Sequence, residues 1–377
     1  MQKPFYDPAK SYQENDEQGP FGGFANKELL ENNSEPQYDF LGFKINFPFG
    51  IPSGPLLNSK FCKGAFEKGF DVIHYKTRRS DEFPCNSHPN VLFVSTNGDL
   101  TLEKAKTPLI GKTENPGDPT EFSITNSFGN PSQKADIWQE DMKKALEAEG
   151  KGQLLIASVV GTIREGYTPD DYYDDFALAA KLAKETGVKV IELNLSCPNV
   201  ASEGVLCYSK EAVEAVCKKS RAAVGKDIKL LAKFGYFAPY QQELLEDTIV
   251  RIDPYIDGIS AINTIPAQVV NEKGEQALPG PGRLVAGVCG AGIKWAGLDM
   301  VKRLDRIRKN MNSDFAIIGV GGVMSPKDYF DYRTAGADVV QSATGSMWNP
   351  YLAQEIKEKE IQKEKLLEQI TTAPQVG

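Results

Sequence analysis

No apolar run in the 377-residue chain reaches the roughly 18 residues that a membrane-spanning helix needs. The opening stretch, MQKPFYDPAKSYQENDEQGP, lacks the apolar core of a secretory leader. Histidine is almost missing, with only His74 and His88. Nucleophile–histidine hydrolysis is therefore a weak reading, since no Asn or Asp orienter accompanies either one. The carboxylates show no metal-ligand spacing, and no GxGxxG opens a helix after a strand. Lysine and arginine number 43 against 51 aspartates and glutamates, a net charge of −8, so the basic face of an electrostatic nucleic-acid binder is absent. The cysteines are Cys62, Cys85, Cys197, Cys207, Cys217 and Cys289. None stand two or three residues apart, which argues against a zinc or iron–sulfur site within the chain. Six thiols in so long a chain read as reduced, so a soluble, cytoplasmic protein is expected.

Apolar content of 41% and charged content of 25% are those of a globular chain with a sizeable core. Eight β-branched runs recur: FGIPSG (49–54), DVIHYKT (71–77), LLIASVVG (154–161), VKVIELNLS (188–196), IKLLAKF (228–234), YIDGISAIN (255–263), FAIIGVGG (315–322) and DVVQSATG (338–345). Near-continuous hydrophobicity suits parallel strands covered on both faces. Amphipathic stretches such as 174–187 and 210–225 lie between them and stop at Gly. The alternation predicts an α/β fold, a (β/α)8 TIM barrel in preference to an open doubly wound sheet. The deciding feature is that Ser53, Lys76, Ser158, Asn194, Lys233, Asn263, Gly321 and Thr344 all fall at strand C-terminal ends. In a barrel those ends converge on one mouth.

Residues 1–37 read as an N-terminal extension packed on the surface or on a partner, 38–350 as the barrel, and 351–377 as a charged helix and tail. Within the barrel, 38–48 alternate like a hairpin able to plug its bottom, and 78–150 form a long insertion between the second and third strands.

Cys197, in the loop after ELNLS, can serve as a proton-transfer base or nucleophile, or be a small buried filler. Cys62 and Cys217 sit in helix-like stretches, and Cys85, Cys207 and Cys289 lack a polar neighbourhood, Cys207 being the nearest to Cys197 in sequence. Lys76 and Lys233 end apolar strands, where an ammonium without an anionic partner is unfavourable. Schiff-base chemistry would use one lysine, whereas two suit an anionic cofactor ring and substrate. GVGGV (319–323) and SATGS (342–346) would place free backbone N–H groups where barrels commonly hold phosphate. GVCGAGIK (287–294) lacks the spacing of a P-loop.

ELNLSCPN (192–199) and TNSFGNPS (125–132), with PSG (52–54), YKT (75–77), INT (262–264), GVGG and QSATG (341–345), resemble the flavin-dependent dihydroorotate dehydrogenase family over roughly 38–350. Cysteine at 197 is similar to the soluble class 1 members rather than the quinone-linked ones, which carry Ser there. Asn199 departs from the His of the related dihydropyrimidine dehydrogenases. The resemblance implies FMN-dependent oxidation of dihydroorotate to orotate in pyrimidine biosynthesis, with Cys197 as base. It implies substrate contacts from Lys76, Asn126, Phe128, Gly129, Asn194, Asn199, Asn263 and Thr264. FMN contacts would come from Ser53, Gly54, Lys76, Thr77, Ser158, Asn194, Lys233, Gly290, Gly321, Gly322 and Thr344. No metal is implied. A homodimer is typical of class 1, and NAD as acceptor would require a second, iron–sulfur and flavin-bearing subunit, whereas fumarate would not. The loop VASEGVLCYS, Asn130 in place of a common Leu, and Ala343-Thr344-Gly345 depart from the usual pattern. They leave open an FMN oxidoreductase acting on another cyclic amide. A flavin-binding barrel without catalysis is the third reading.

Overall fold

The computed structural model describes residues 3–26, 28–30, 35–118, 121–196 and 206–372. Eight parallel strands form one sheet: β1 (Phe49–Gly50), β2 (Val72–Arg78), β3 (Leu154–Val159), β4 (Val190–Asn194), β5 (Lys229–Phe234), β6 (Gly258–Ala261), β7 (Ala316–Val320) and β8 (Val339–Gln341). Neighbours in sequence are neighbours in space, and β8 pairs with β1. The ring closes between β1 and β2, where Asp71 N–H donates to Phe49 O (3.0 Å) and His74 N–H to Ile51 O (2.9 Å). The expected (β/α)8 barrel is thus present, built from the same eight runs.

Helices return the chain between strands. The helix Pro169–Lys184 starts on a Thr168–Asp171 capping box with proline at its first turn, and Lys210–Val224 stops at Gly225 with φ +77°. Both are ordinary start and stop chemistry. The hairpin of Tyr38–Phe40 and Phe43–Ile45 lies beneath the barrel, as the alternation suggested. Phe40 and Ile45 are buried in one apolar cluster with Val72, Leu154, Val190, Leu231, Ala316 and Val339, which lie at or near the entering ends of their strands. Deleting a ring buried to that degree typically costs about 3–5 kcal/mol, so the plug contributes materially to closing the bottom.

The insertion after β2 contributes Phe93–Val94, Leu109–Lys112 and Ser123–Asn126 to a second, five-stranded closed barrel. Its other two strands, Ile265–Val270 and Val285–Gly290, come from between β6 and β7. The β-branched pattern assigns no element to that segment, and GVCGAGIK (287–294), which lacks P-loop spacing, is a strand end running into the helix Lys294–Met311. The N-terminal segment lies on its own barrel, with Phe5 edge-on to Phe61 (centroids 6.2 Å apart), Phe24 tilted against Phe70 (6.1 Å), and Tyr6 and Tyr12 edge-on to Phe128.

Candidate active site at the barrel mouth

At the C-terminal ends of the strands lies an open pocket, its empty space about 720 Å³ with the solvent in its mouth included. Its walls include Ser53, Gly54, Lys76, Thr77, Asn194, Lys233, Asn263, Thr264, Gly321, Gly322 and Thr344 from the main barrel, with Asn126 and Gly290 from the small one. The small barrel delivers those two because its strands pair Asn126 with Gly287 and Ser123 with Gly290. An adjoining apolar cavity of about 400 Å³ is lined by Phe128, Tyr6 and Met347. Gly129 continues the same loop. Ser158 stands outside the lining, fully buried one layer below. Cys197 and Asn199 lie outside the described residues, as does most of the loop that follows them.

Each wall has its own chemistry. The backbone around Gly321 and Gly322 takes φ of +129° and +64°, and a Cβ on Gly322 would stand 2.6 Å from the Lys294 amide nitrogen. Only glycine fits there. The Gly322 and Val323 N–H groups meet no acceptor among the described residues. A phosphate ester matches such a cradle, because it brings acceptors to backbone donors that a side chain cannot crowd.

The two lysines differ. Lys76 donates to Gly54 O (2.9 Å), and its ammonium sits 5.1 Å from the Phe128 ring centroid. Burial, with Arg78 and Lys233 repelling it, pulls its pKa down to about 8. Lys233 is 5% exposed, and its ammonium has no acceptor within hydrogen-bonding distance among the described residues. A buried cation facing a cavity fits an anionic ligand.

Below the floor runs a ladder of hydroxyls. Ser53 Oγ and Thr77 Oγ1 lie 3.0 Å apart, Thr77 Oγ1 and Ser158 Oγ 3.0 Å, and Ser158 Oγ donates to Glu192 Oε1 at 3.2 Å. Glu192 is fully buried beside His74 Nδ1 (3.3 Å). Burial would raise its pKa, but the positive potential of His74 and Lys233 outweighs it and holds the carboxyl at about 2. His74 is thus committed to the barrel interior.

Asn194 Oδ1 accepts from Ser196 N–H and Oγ–H (both 3.3 Å), and Asn263 Nδ2 donates to Ser196 O (3.2 Å). Two wall amides therefore fix the point from which the Cys197 loop departs. Cys207 is buried, which pushes its thiol up to about 12. Cys289, set aside on sequence for want of polar neighbours, lines the cavity and accepts from Thr344 Oγ1 at 3.5 Å. Burial raises its thiol to about 11, so it is a neutral wall group. Nothing local in the sequence marks it, because Thr344 stands 55 residues further on, at the start of the short helix Thr344–Trp348. Among the described residues no cluster of His, Cys, Asp or Glu could hold a metal, and no helix is long and apolar enough to cross a membrane.

Comparison with known proteins identifies the family. A family model described as dihydroorotate dehydrogenase matches residues 106–364. The dihydroorotate dehydrogenase of Dictyostelium discoideum is 36% identical over 362 residues, 94% of this chain and 96% of that protein. The chain belongs to the dihydroorotate dehydrogenase family. As a member it is an oxidoreductase of the CH–CH class. The catalytic subunit of dihydroorotate dehydrogenase B (NAD(+)) of Methanocaldococcus jannaschii is 31% identical over 65% of this chain and 76% of its own length. The NAD-dependent dihydropyrimidine dehydrogenase subunit PreA of Escherichia coli K12 is 26% identical over 83% of this chain and 68% of its own. The family is in general flavin-dependent.

Proposed function

We propose that this protein oxidises (S)-dihydroorotate to orotate with FMN as its cofactor, as a step of pyrimidine synthesis in the cytoplasm. The observation that carries the reading is the convergence, in one cavity, of the Gly321-Gly322 cradle with Lys76, Lys233 and the amides of Asn126, Asn194 and Asn263. When bound, FMN supplies the two-electron acceptor for a hydride from a ring carbon of the substrate.

The chain's residues do the rest. Backbone N–H groups at Gly322 and Val323, with Thr344 opposite, hold the phosphate. Ser53, Gly54, Thr77 and Gly290 shape the cofactor's bed, and Ser158 fixes Thr77 from below. Lys233 places its charge against the cofactor ring. Lys76 faces the substrate carboxylate, whose charge restores to the ammonium what burial removes. The asparagines, with Asn199 and Thr264, bind the amide edge, because each amide offers a donor and an acceptor to a ring presenting both. Phe128 and Gly129 cover the carboxylate end. Cys197, as thiolate, takes the proton from the carbon beside the ring carbonyl as the hydride leaves the neighbouring carbon.

The five described cysteines are all free, which suits a reducing compartment. A homodimer belongs to the same proposal, with gel filtration as its check. The cofactor assignment is tested by heat release and mass analysis: FMN near one per chain is expected. FAD, or no flavin even after reconstitution, would overturn it.

A further inference from the structure

In the loop carrying Asn126 to Asn130, the four carbonyls of residues 127–130 each accept a hydrogen bond. Ser127 O accepts from Arg283 Nη2 (3.0 Å) and Asn90 Nδ2 (3.1 Å), and Phe128 O accepts from Asn86 N–H (3.0 Å). Gly129 O accepts from Arg79 Nη2 (3.2 Å) and Asn130 O from Arg79 Nε (2.9 Å). Arg283 Nε also donates to Ser127 Oγ (3.1 Å). In contrast, the N–H groups of Phe128 and Gly129 meet no acceptor among the described residues. Left-handed backbone at Gly129 (φ +82°) and Asn130 (φ +51°) makes the arrangement possible.

Both guanidiniums are anchored away from the loop. Arg79, at the end of β2, donates through Nη1 to Gly161 O (2.7 Å) and Thr162 Oγ1 (3.0 Å), and it stacks 3.9 Å from the Phe83 ring centroid. Arg283 Nη1 donates to Ser87 O (2.7 Å) and Pro279 O (2.5 Å), and Nη2 to Pro89 O (3.1 Å). Only arginine offers five donors in a rigid plane, enough to hold loop and scaffold together. Arg283 is 7% exposed and has no carboxylate partner among the described residues, so its charge acts on the peptides it touches.

Ser127 C=O and Phe128 N–H belong to one peptide unit. A cation donating to that oxygen makes that N–H a stronger donor. We propose that Arg79 and Arg283 are positioning residues: both clamp loop 126–130 from behind, and Arg283 in addition polarises the Phe128 amide, so that the loop receives the substrate's carboxylate. Neither touches the substrate. The proposal rests on the function proposed above and deepens it, giving that site selectivity for anionic over neutral rings.

The test titrates orotate into the flavin-loaded protein, following the flavin's visible absorption, and measures kcat and KM for dihydroorotate. A hydrogen bond to a charged group is worth enough for Arg283→Met to weaken orotate binding, and raise KM, about 10- to 100-fold. Flavin content and kcat should stay within about threefold of wild type, with Arg283→Lys regaining part of the affinity. Arg79→Lys, a milder change at the other end of the loop, should weaken binding in the same direction. Orotate affinity within twofold of wild type in Arg283→Met and Arg79→Lys would overturn the clamp. Parallel loss of affinity, flavin and kcat in both lysine variants would also overturn it, by showing a purely structural role. If the wild-type flavin does not respond to orotate at all, the function proposed above fails first, whatever the arginines do.

Discussion

Replacing Lys76 by methionine should make the flavin-free protein more stable while abolishing its use. Burial pulls this lysine from its ordinary 10.5 to about 8. At about 1.36 kcal/mol per pH unit, the displacement corresponds to roughly 3 kcal/mol against the charged form at pH 7. The sign follows from proton counting. Below pH 8 both folded and unfolded chains carry the proton and the folded state bears the full penalty. Between 8 and 10.5 the folded chain has released the proton that the unfolded one keeps, so stability rises with pH. Methionine has similar length and no charge to desolvate. Urea unfolding at pH 7 should therefore show Lys76→Met more stable by about 2–3 kcal/mol, with the gap shrinking as pH approaches 10.5. The same variant should lose orotate binding, since the ligand carboxylate loses its cation. A variant no more stable at pH 7, or a gap indifferent to pH, would refute the desolvation argument.

Glu192→Gln should flatten the acid limb of the stability curve: a carboxyl held at about 2 contributes stability above its ordinary value near 4.3 and loses it as pH falls towards 2. Urea midpoints at pH 2.5 and 6 check this, with a larger wild-type difference expected. Gly322→Ala forces a Cβ within 2.6 Å of the Lys294 amide at φ +64°. The left-handed backbone alone should cost about 1–2 kcal/mol, and flavin content on purification should fall with it. Cys197→Ala should slow flavin reduction at neutral pH about 10²–10⁴-fold, read by stopped-flow absorbance, with flavin content unchanged.

The barrel was legible because eight β-branched runs each ended on a polar or small residue, and the physics of parallel sheets leaves few other arrangements for that pattern. The bottom hairpin was legible for a similar reason, since Tyr38 to Ile45 alternate. The small barrel was not. Phe93–Val94 spans two residues, and its other strands come from two segments on either side of four barrel strands, so no local period announces it. Asn130 looked like a departure at the substrate loop. Its φ of +51° explains it, because asparagine tolerates left-handed backbone that a leucine resists. The arginine clamp was invisible for another reason: Arg79 and Arg283 act on backbone carbonyls, and a carbonyl leaves no mark in sequence. Ser158 ends an apolar run and so reads as a mouth residue in sequence; among the described residues it bonds to Thr77, which lines the pocket, and to Glu192.

On the function proposed above, this mouth passes electrons from dihydroorotate to a bound flavin. Purified holoenzyme mixed anaerobically with dihydroorotate decides it: the flavin's visible absorption should bleach and orotate should appear in equal amount. A flavin that stays oxidised with dihydroorotate, yet bleaches with another cyclic amide, would contradict it.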